Sequence, residues 1–141
     1  MDRRKLLLAL GAVMGMVLVG PVRRPAHAYN SSTWYEDAGG FEQALRQQRA
    51  LHAPVLVYFR VDWCPHCRTL DQMLETYEVR SRLNELIKVR INPEHGDAEK
   101  QLFQTAGSGG YPSLFLRGEG GGATQLHVGG SPEQFLAQFP K

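Results

Sequence analysis

Short apolar runs alternate with helically spaced hydrophobic residues along the chain after position 28. Val55–Phe59 is a continuous β-branched and aromatic run, too short for a helix and apolar on both faces. Such a run is typical of a central strand that is covered on both sides. Ile87, Val89 and Ile91 alternate with charged residues and predict a second strand. These strands require helices on both faces of one sheet.

Helical spacing recurs between and after these strands. The first predicted helix covers 41–51, and the second begins at Pro65 and carries Leu70, Met73, Leu74 and Tyr77 at helical spacing. A third, short helix is predicted over 79–86. The fourth covers 97–106, with Asp97 as its cap and with Leu102 and Phe103 facing inward. Ser131, Pro132 and Gln134 form a capping-box pattern, which predicts a last helix through Phe139.

The remaining segments complete the order of elements. Residues 113–117 and 124–128 are strand-like and flank the glycine-rich segment 118–122, which predicts a hairpin. Residues 29–40 form a polar and aromatic lead-in with one short strand. The pattern predicts an α/β fold in which a central mixed sheet of four to five strands is flanked by helices on both faces.

Residues 1–28 contain the three parts of a secretory signal peptide. A basic start at 1–5 precedes an apolar run at 6–22, and Ala26 and Ala28 provide the small residues for cleavage before Tyr29. Arg3 and Arg4 ahead of the apolar run resemble a twin-arginine export signal. The alternative is an uncleaved membrane anchor, because the run is near the lower limit for a spanning helix. Both place the domain in the periplasm or another exported, oxidising location.

Charge does not favour nucleic acid as a partner. Residues 1–28 hold five of the 16 basic residues and one of the 14 acidic ones, which leaves 11 basic against 13 acidic residues. The remainder, 29–141, is slightly acidic and long enough for one compact domain with one core. We expect this domain to be monomeric.

The only two cysteines of the chain lie in Trp63-Cys64-Pro65-His66-Cys67. No second pair exists to complete a zinc site or a disulfide framework, so these sulfurs are expected to pair with each other or with a partner's thiol. Pro65 fits the first turn of a helix, which places Cys64 at the positive end of the helix, where a thiolate is stabilised.

Cys64 is therefore the predicted nucleophile and Cys67, one turn inside, the resolving thiol of a redox-active disulfide. The imidazole of His66 can donate a hydrogen bond or a positive charge to the Cys64 thiolate. This cycle needs no metal and no bound cofactor.

Other interpretations of the pair stay open. A structural disulfide closing so short a loop would contribute only about 2 kcal/mol. A metal site could combine the two cysteines with His52, His95 or His127, and Cu(I) would suit the thiolates best. A copper-binding or peptide-binding module without redox turnover is thus the alternative to an enzyme.

With this motif between a hydrophobic strand and a helix, residues 41–139 resemble the thioredoxin superfamily, and most closely small exported domains such as the C-terminal domain of DsbD-type reductases. Tyr111-Pro112 precedes a strand where that superfamily carries a cis-proline facing the sulfurs. The resemblance implies a cis Pro112, a thiol-disulfide oxidoreductase activity, and a peptide surface formed by Trp63, Pro65, Tyr111 and Pro112.

The chain also departs from that superfamily. Tyr58 occupies the position of a buried aspartate that assists proton transfer at the second cysteine, so the proton of Cys67 would have to pass to water or to another group such as Glu or Lys. The dipeptide Pro65-His66 is that of DsbA-type oxidases, whose helical insertion this chain lacks. Residues 107–110 lengthen the approach to Pro112, which suggests a shifted partner preference.

The resemblance implies partners that carry protein thiols or disulfides, together with a membrane-borne redox donor or acceptor. The direction of the reaction is not determined by these residues, because a cysteine pair oxidises or reduces its partner according to their relative potentials.

Overall fold

A five-stranded mixed sheet organises the protein, whose computed structural model describes residues 29–141. The strands are β1 (Trp34–Glu36), β2 (Val55–Phe59), β3 (Ile87–Ile91), β4 (Ser113–Arg117) and β5 (Ala123–Leu126), in the spatial order β1-β3-β2-β4-β5. β1, β3 and β2 run parallel, whereas β4 is antiparallel to β2 and β5 to β4. The predicted α/β fold class is confirmed. The predicted signal peptide or anchor, 1–28, lies outside the described residues.

Five helices connect and cover the strands. They are α1 (Asp37–Leu51), α2 (Pro65–Leu74), α3 (Tyr77–Leu83), α4 (Asp97–Ala106) and α5 (Pro132–Leu136). Between residues 29 and 141, none of them is long and apolar enough to cross a membrane.

The sheet separates two hydrophobic clusters because β2 is buried along its whole length. On one face Leu56 and Tyr58 pack with residues of α2, α3 and α5, including Phe135. On the other face Val57 and Phe59 pack with residues of α1 and α4. The strand apolar on both sides is therefore covered on both sides, as its sequence predicts.

The register of β4 against β2 brings two distant segments to one edge of the sheet. Phe59, the last residue of β2, lies opposite Ser113, the first residue of β4. The chain that leaves β2 continues into the cysteine motif, and the residue before Ser113 is Pro112. The strand pairing thus places Pro112 beside the start of α2.

The start of α1 differs from its prediction. The helix begins at Asp37 rather than at residue 41, and it includes Gly39 and Gly40. A Cβ added at Gly40 would lie 2.9 Å from the carbonyl carbon of Tyr35, so the close approach of β1 to α1 requires glycine there. A glycine pair that resembles a loop signal in the sequence is here a packing requirement.

Smaller corrections concern other element ends. The N-cap of α4 is Gly96, not Asp97, and α3 begins at Tyr77, a residue that the pattern had assigned to α2. β5 ends at Leu126 rather than at Val128. The capping box at Ser131 is confirmed by both of its hydrogen bonds, but α5 ends at Leu136, three residues before Phe139.

Lys88 lies in the middle of β3 and is only 1% exposed. Its Nζ donates hydrogen bonds to the carbonyl oxygens of Ser31 and Leu83 and to Oδ1 of Asn84. Burial lowers the pKa of this amine to about 8. The side chain therefore ties the segment before β1 to the end of α3.

We expect this buried amine to make stability depend on pH. Its folded-state pKa lies below the ordinary lysine value, so between these two values the unfolded chain binds more protons and the free energy of unfolding rises with pH. Urea denaturation from pH 7.5 to 10 should show a steeper rise for the wild type than for Lys88→Met. Lys100→Met, at an exposed lysine, should match the wild type. Equal slopes for wild type and Lys88→Met would contradict the expectation.

Candidate functional site

The two cysteines lie at the start of α2, in the positions that the spacing predicts. Cys64 is the N-cap of the helix and Pro65 its first residue. The backbone N–H of Cys67 donates to Sγ of Cys64 at 3.1 Å. This bond and the positive end of the helix both favour negative charge on that sulfur. The sequence folds this way because Pro65 has no N–H to leave unsatisfied in the first turn.

Cys67 is the more enclosed of the two residues. It is fully buried, whereas Cys64 keeps 4% of its surface exposed, and both pack with Val61 and Tyr111. Burial, followed by the hydrogen bond with Cys64, raises the pKa of the Cys67 thiol. Both residues are free thiols in this structure. The arrangement pairs one sulfur prepared for negative charge with a neutral thiol behind it.

His66 occupies the second position of α2 and is exposed to solvent. Among the described residues, the hydrogen bond to the Cys64 sulfur comes from the Cys67 amide and none comes from the His66 imidazole. The ring instead borders a groove next to the site. Of the two predicted influences of His66 on the thiolate, the direct hydrogen bond is not formed among the described residues, and the effect of its charge stays a prediction.

An aromatic group borders the cysteines on the side of α4. The indole of Trp63 is 62% exposed and donates through Nε1 to Glu94 at 2.7 Å. It meets Tyr111 edge-on with ring centres 6.3 Å apart, and Tyr111 stacks on Phe103 at 4.8 Å. Glu94 is a residue that the sequence analysis did not single out. The structure brings both predicted surface aromatics, Trp63 and Tyr111, to one place.

The Tyr111-Pro112 peptide bond is cis, as the superfamily resemblance implies. Tyr111 packs against the buried cysteines, and Pro112 lies next to the start of β4. Every predicted site residue of the motif and of this dipeptide therefore belongs to one contiguous region.

A groove of about 730 Å³ opens beside this region. It is bordered by His66, by residues of α2 including Met73 and Thr76, by Tyr111 and Pro112, and by the segment 128–132. His66 and Tyr111 are the titratable side chains in this lining, which contains no Asp, Glu, Lys or Arg. The groove lining therefore carries no permanently charged side chain.

Tyr58 and Asp71 form a contact that the sequence analysis missed. The Tyr58 hydroxyl donates to Oδ1 of Asp71 at 2.8 Å and lies 3.2 Å from the carbonyl oxygen of Cys67. Arg60 completes the group, with Nη2 at 3.2 Å from Oδ2 of Asp71. Burial raises the pKa of Tyr58 strongly, so its hydroxyl stays protonated. The Tyr58 hydroxyl thus links the Cys67 backbone to Asp71, and the passage of the Cys67 proton to water or to another group such as Glu or Lys stays a prediction.

One sequence signal could have indicated this contact. Asp71 follows Cys67 by four residues, which places both on one face of α2. The role of Tyr58 in this contact could not be predicted from neighbouring residues, because Tyr58 and Asp71 lie 13 positions apart in the chain.

Two of the three histidines considered for a metal site, His95 and His52, lie beside carboxylates instead. Nδ1 of His95 is 2.8 Å from Oδ2 of Asp37, and Nδ1 of His52 is 3.4 Å from Oε2 of Glu119. Within 29–141 no group of three or more His, Cys, Asp or Glu side chains is arranged to hold a metal ion.

Comparison with known proteins agrees with this architecture. A family model described as thioredoxin-like matches residues 33–117, more than half of the chain. This match spans β1 to β4 and includes the cysteine motif and the Tyr111-Pro112 dipeptide. No match is found among curated proteins.

Several solved structures share the fold. The oxidised C-terminal domain of Neisseria meningitidis DsbD has a TM-score of 0.62 at 18% identity, over 74% of this chain and 95% of that one. A DsbH oxidoreductase has a TM-score of 0.61 at 22% identity, over 82% of this chain and 86% of that one. A thioredoxin from Thermus thermophilus has a TM-score of 0.61 at 21% identity, over 77% of this chain and 85% of that one. At these identities the likeness shows the fold alone.

Proposed function

Because the chain belongs to the thioredoxin-like family, we propose that it is a thiol-disulfide oxidoreductase that exchanges disulfides with exported proteins. The observation that carries this proposal is the N–H of Cys67 donating to the sulfur of Cys64 at the start of α2. That arrangement prepares one sulfur for attack and keeps the second within one helical turn.

The reaction begins when the thiolate of Cys64 attacks a disulfide of the partner. A bond forms between Cys64 and one partner sulfur, and the other partner sulfur leaves with the electron pair. Cys67 then attacks Cys64, forms the Cys64–Cys67 disulfide and expels the partner as a second thiolate. The partner disulfide is reduced by two electrons and the cysteine pair is oxidised. The reverse sequence oxidises a partner dithiol.

The surrounding residues supply the protein surface for this exchange. We assign Trp63, Tyr111 and Pro112 to the partner-facing surface, because Tyr111 packs against the cysteines, Trp63 meets Tyr111, and Pro112 lines the adjoining groove. Pro65 contributes at the start of α2, and the charge of His66 acts on Cys64. The groove beside His66, whose lining contains no Asp, Glu, Lys or Arg, would receive uncharged side chains of the partner.

The proposed site of action is the periplasm or another exported location. The support is the signal-like pattern of residues 1–28, which would either be cleaved or serve as an anchor for the domain 29–141. In that compartment a membrane-borne redox protein would donate or accept the electrons. The domain would act as a monomer.

Cys67→Ala should convert the protein into a trap for its partners. Without the resolving thiol, the mixed disulfide on Cys64 persists, because nothing within reach expels the partner. Non-reducing gels of the exported fraction should show adducts that disappear with dithiothreitol. Cys64→Ala/Cys67→Ala is the matched control and should form none. Absence of adducts in the single variant, when the protein is present and folded, would argue against catalytic exchange.

The alternative of a copper-binding module has its own outcome. Metal analysis of the reduced protein after incubation with Cu(I) and a competing chelator should leave the protein without stoichiometric copper. Copper retained at one ion per chain, together with no turnover of a model disulfide, would replace the proposed function with metal binding.

A further inference from the structure

The cluster of Tyr58, Arg60 and Asp71 fixes a pair of opposite charges near Cys67. A tyrosine hydroxyl has one hydrogen, and its shorter contact is the one to Oδ1 of Asp71. The other carboxylate oxygen, Oδ2, faces Arg60. Both carboxylate oxygens of Asp71 are thus bound, Oδ1 by Tyr58 on β2 and Oδ2 by Arg60, the residue that follows β2. This double attachment holds the carboxylate in one place on α2.

Arg60 is held independently of Asp71. Its Nη1 lies 3.0 Å from Oδ1 of Asp62, and its side chain is 21% exposed. Nε of Arg60 is buried and has no hydrogen-bond partner in the part of the chain that the structure describes. A guanidinium so enclosed is screened less than one at the surface. Its positive charge acts on the Cys67 thiol and opposes the effect of burial on the pKa of that thiol.

Building on the proposed oxidoreductase function, we propose that the Arg60–Asp71 ion pair, held in place by Tyr58, sets how readily Cys67 gives up its proton and thus how fast a mixed disulfide is resolved. Arg60 favours the thiolate of Cys67. Asp71 offsets that charge. The three residues are positioning residues, since they contact the Cys67 backbone, one another and Asp62, and none contacts a reacting sulfur through a hydrogen bond of the described structure.

The step under this control is the second half of the exchange. Cys67 loses its proton to water, and its sulfur attacks Cys64 in the mixed disulfide. The Cys64–Cys67 bond forms, the bond between Cys64 and the partner sulfur breaks, and the partner leaves with the electron pair and takes a proton from water. The proton loss is costly for a buried thiol, so a nearby fixed charge affects the rate directly.

Other titratable groups also face this region. They are Cys64 and His66 on α2, Tyr58 on β2, Asp62 after β2, and Tyr111 before β4. Burial keeps the pKa of both tyrosines above the ordinary value, so they remain neutral. Cys64 is part of the mixed disulfide during this step. Asp62 is 78% exposed and His66 is also exposed, so solvent screens both more than it screens Arg60.

The test uses a preformed mixed disulfide between Cys64 and glutathione in the full chain. Stopped-flow release of glutathione, followed from pH 5 to 10, reports the pH midpoint of resolution. Asp71→Asn should move this midpoint to lower pH, because Arg60 stays in place and its charge is then offset only by the exposed, solvent-screened Asp62. Arg60→Gln should move the midpoint to higher pH, because only the carboxylate remains. We expect each shift to be at least about 0.5 pH unit.

Conservative variants separate an effect of the Arg60 charge on the midpoint from an effect of altered local structure. Arg60→Lys keeps the charge and should retain a midpoint close to that of the wild type, and Arg60→Gln/Asp71→Asn should fall between the two single variants. Tyr58→Phe should shift the midpoint, since Asp71 loses its anchor. If Asp71→Asn fails to fold, the comparison of Arg60→Lys with Arg60→Gln decides the question.

Two failures are distinguishable. Wild-type protein that never releases glutathione at any pH would overturn the proposed function itself. If the wild type does release glutathione, two results would overturn the role of the ion pair and leave the oxidoreductase function standing. One is equal midpoints for Arg60→Gln and Arg60→Lys. The other is a shift of Arg60→Gln and Asp71→Asn in the same direction.

Discussion

Cys64→Ser should abolish turnover of protein disulfides, with a loss of at least about a thousandfold. A serine hydroxyl at the N-cap can accept the hydrogen bond that the Cys67 amide now gives to sulfur, so the helix start is preserved. What disappears is the nucleophile. Cys67 cannot replace it, because that residue is fully buried and its thiol pKa is raised. The reduction of insulin by dithiothreitol, followed by turbidity, measures the effect.

The control for this variant is Ser81→Ala, a change at an exposed residue of α3. It should retain the activity of the wild type. Thermal denaturation should show both variants folded. Residual activity of Cys64→Ser above about a tenth of the wild type would mean that Cys67 attacks first, and the assignment of nucleophile and resolving thiol would have to be exchanged.

Phe135→Ala should lower the free energy of unfolding by about 3–5 kcal/mol. Phe135 is fully buried in α5 and belongs to the cluster that covers one face of β2 and β4. Its ring meets Phe139 edge-on at 5.3 Å, so truncation removes an aromatic contact as well as buried apolar surface. Urea denaturation followed by circular dichroism measures the loss.

Tyr77→Ala is the matched control, since that ring is 74% exposed at the start of α3. Its effect should stay within about 0.5 kcal/mol. The destabilisation of Phe135→Ala also bears on the site, because α5 follows the segment 128–132 that borders the groove. A cost below about 1 kcal/mol would mean that the end of the chain is not part of the cooperative core.

Local sequence signals predicted the elements that hold the site. The run at β2, the alternation at β3 and the capping box at Ser131 are all confirmed, because each signal depends on residues a few positions apart. The same holds for Cys64 at the N-cap of α2, since the proline after it determines where the helix begins.

The errors lie where distant segments meet. Gly39 and Gly40 resemble a loop by composition, but the approach of β1 to α1 makes them helical. The capping box at Ser131 predicts a helix that continues through Phe139, yet Phe139 is buried beyond the helix end at Leu136. Burial and helical structure give the same sequence pattern at such a position.

By itself, the sequence determined the fold class, the cysteine pair and the position of Cys64 at a helix start. Only the tertiary structure showed what surrounds that pair. Trp63 meets Glu94 across 31 positions of the chain, and Tyr58 meets Asp71 across 13. Hydrogen bonds of this kind leave no local pattern, because each partner is an ordinary residue for its own segment. They exist only once the strands have paired and α2 has packed on β2.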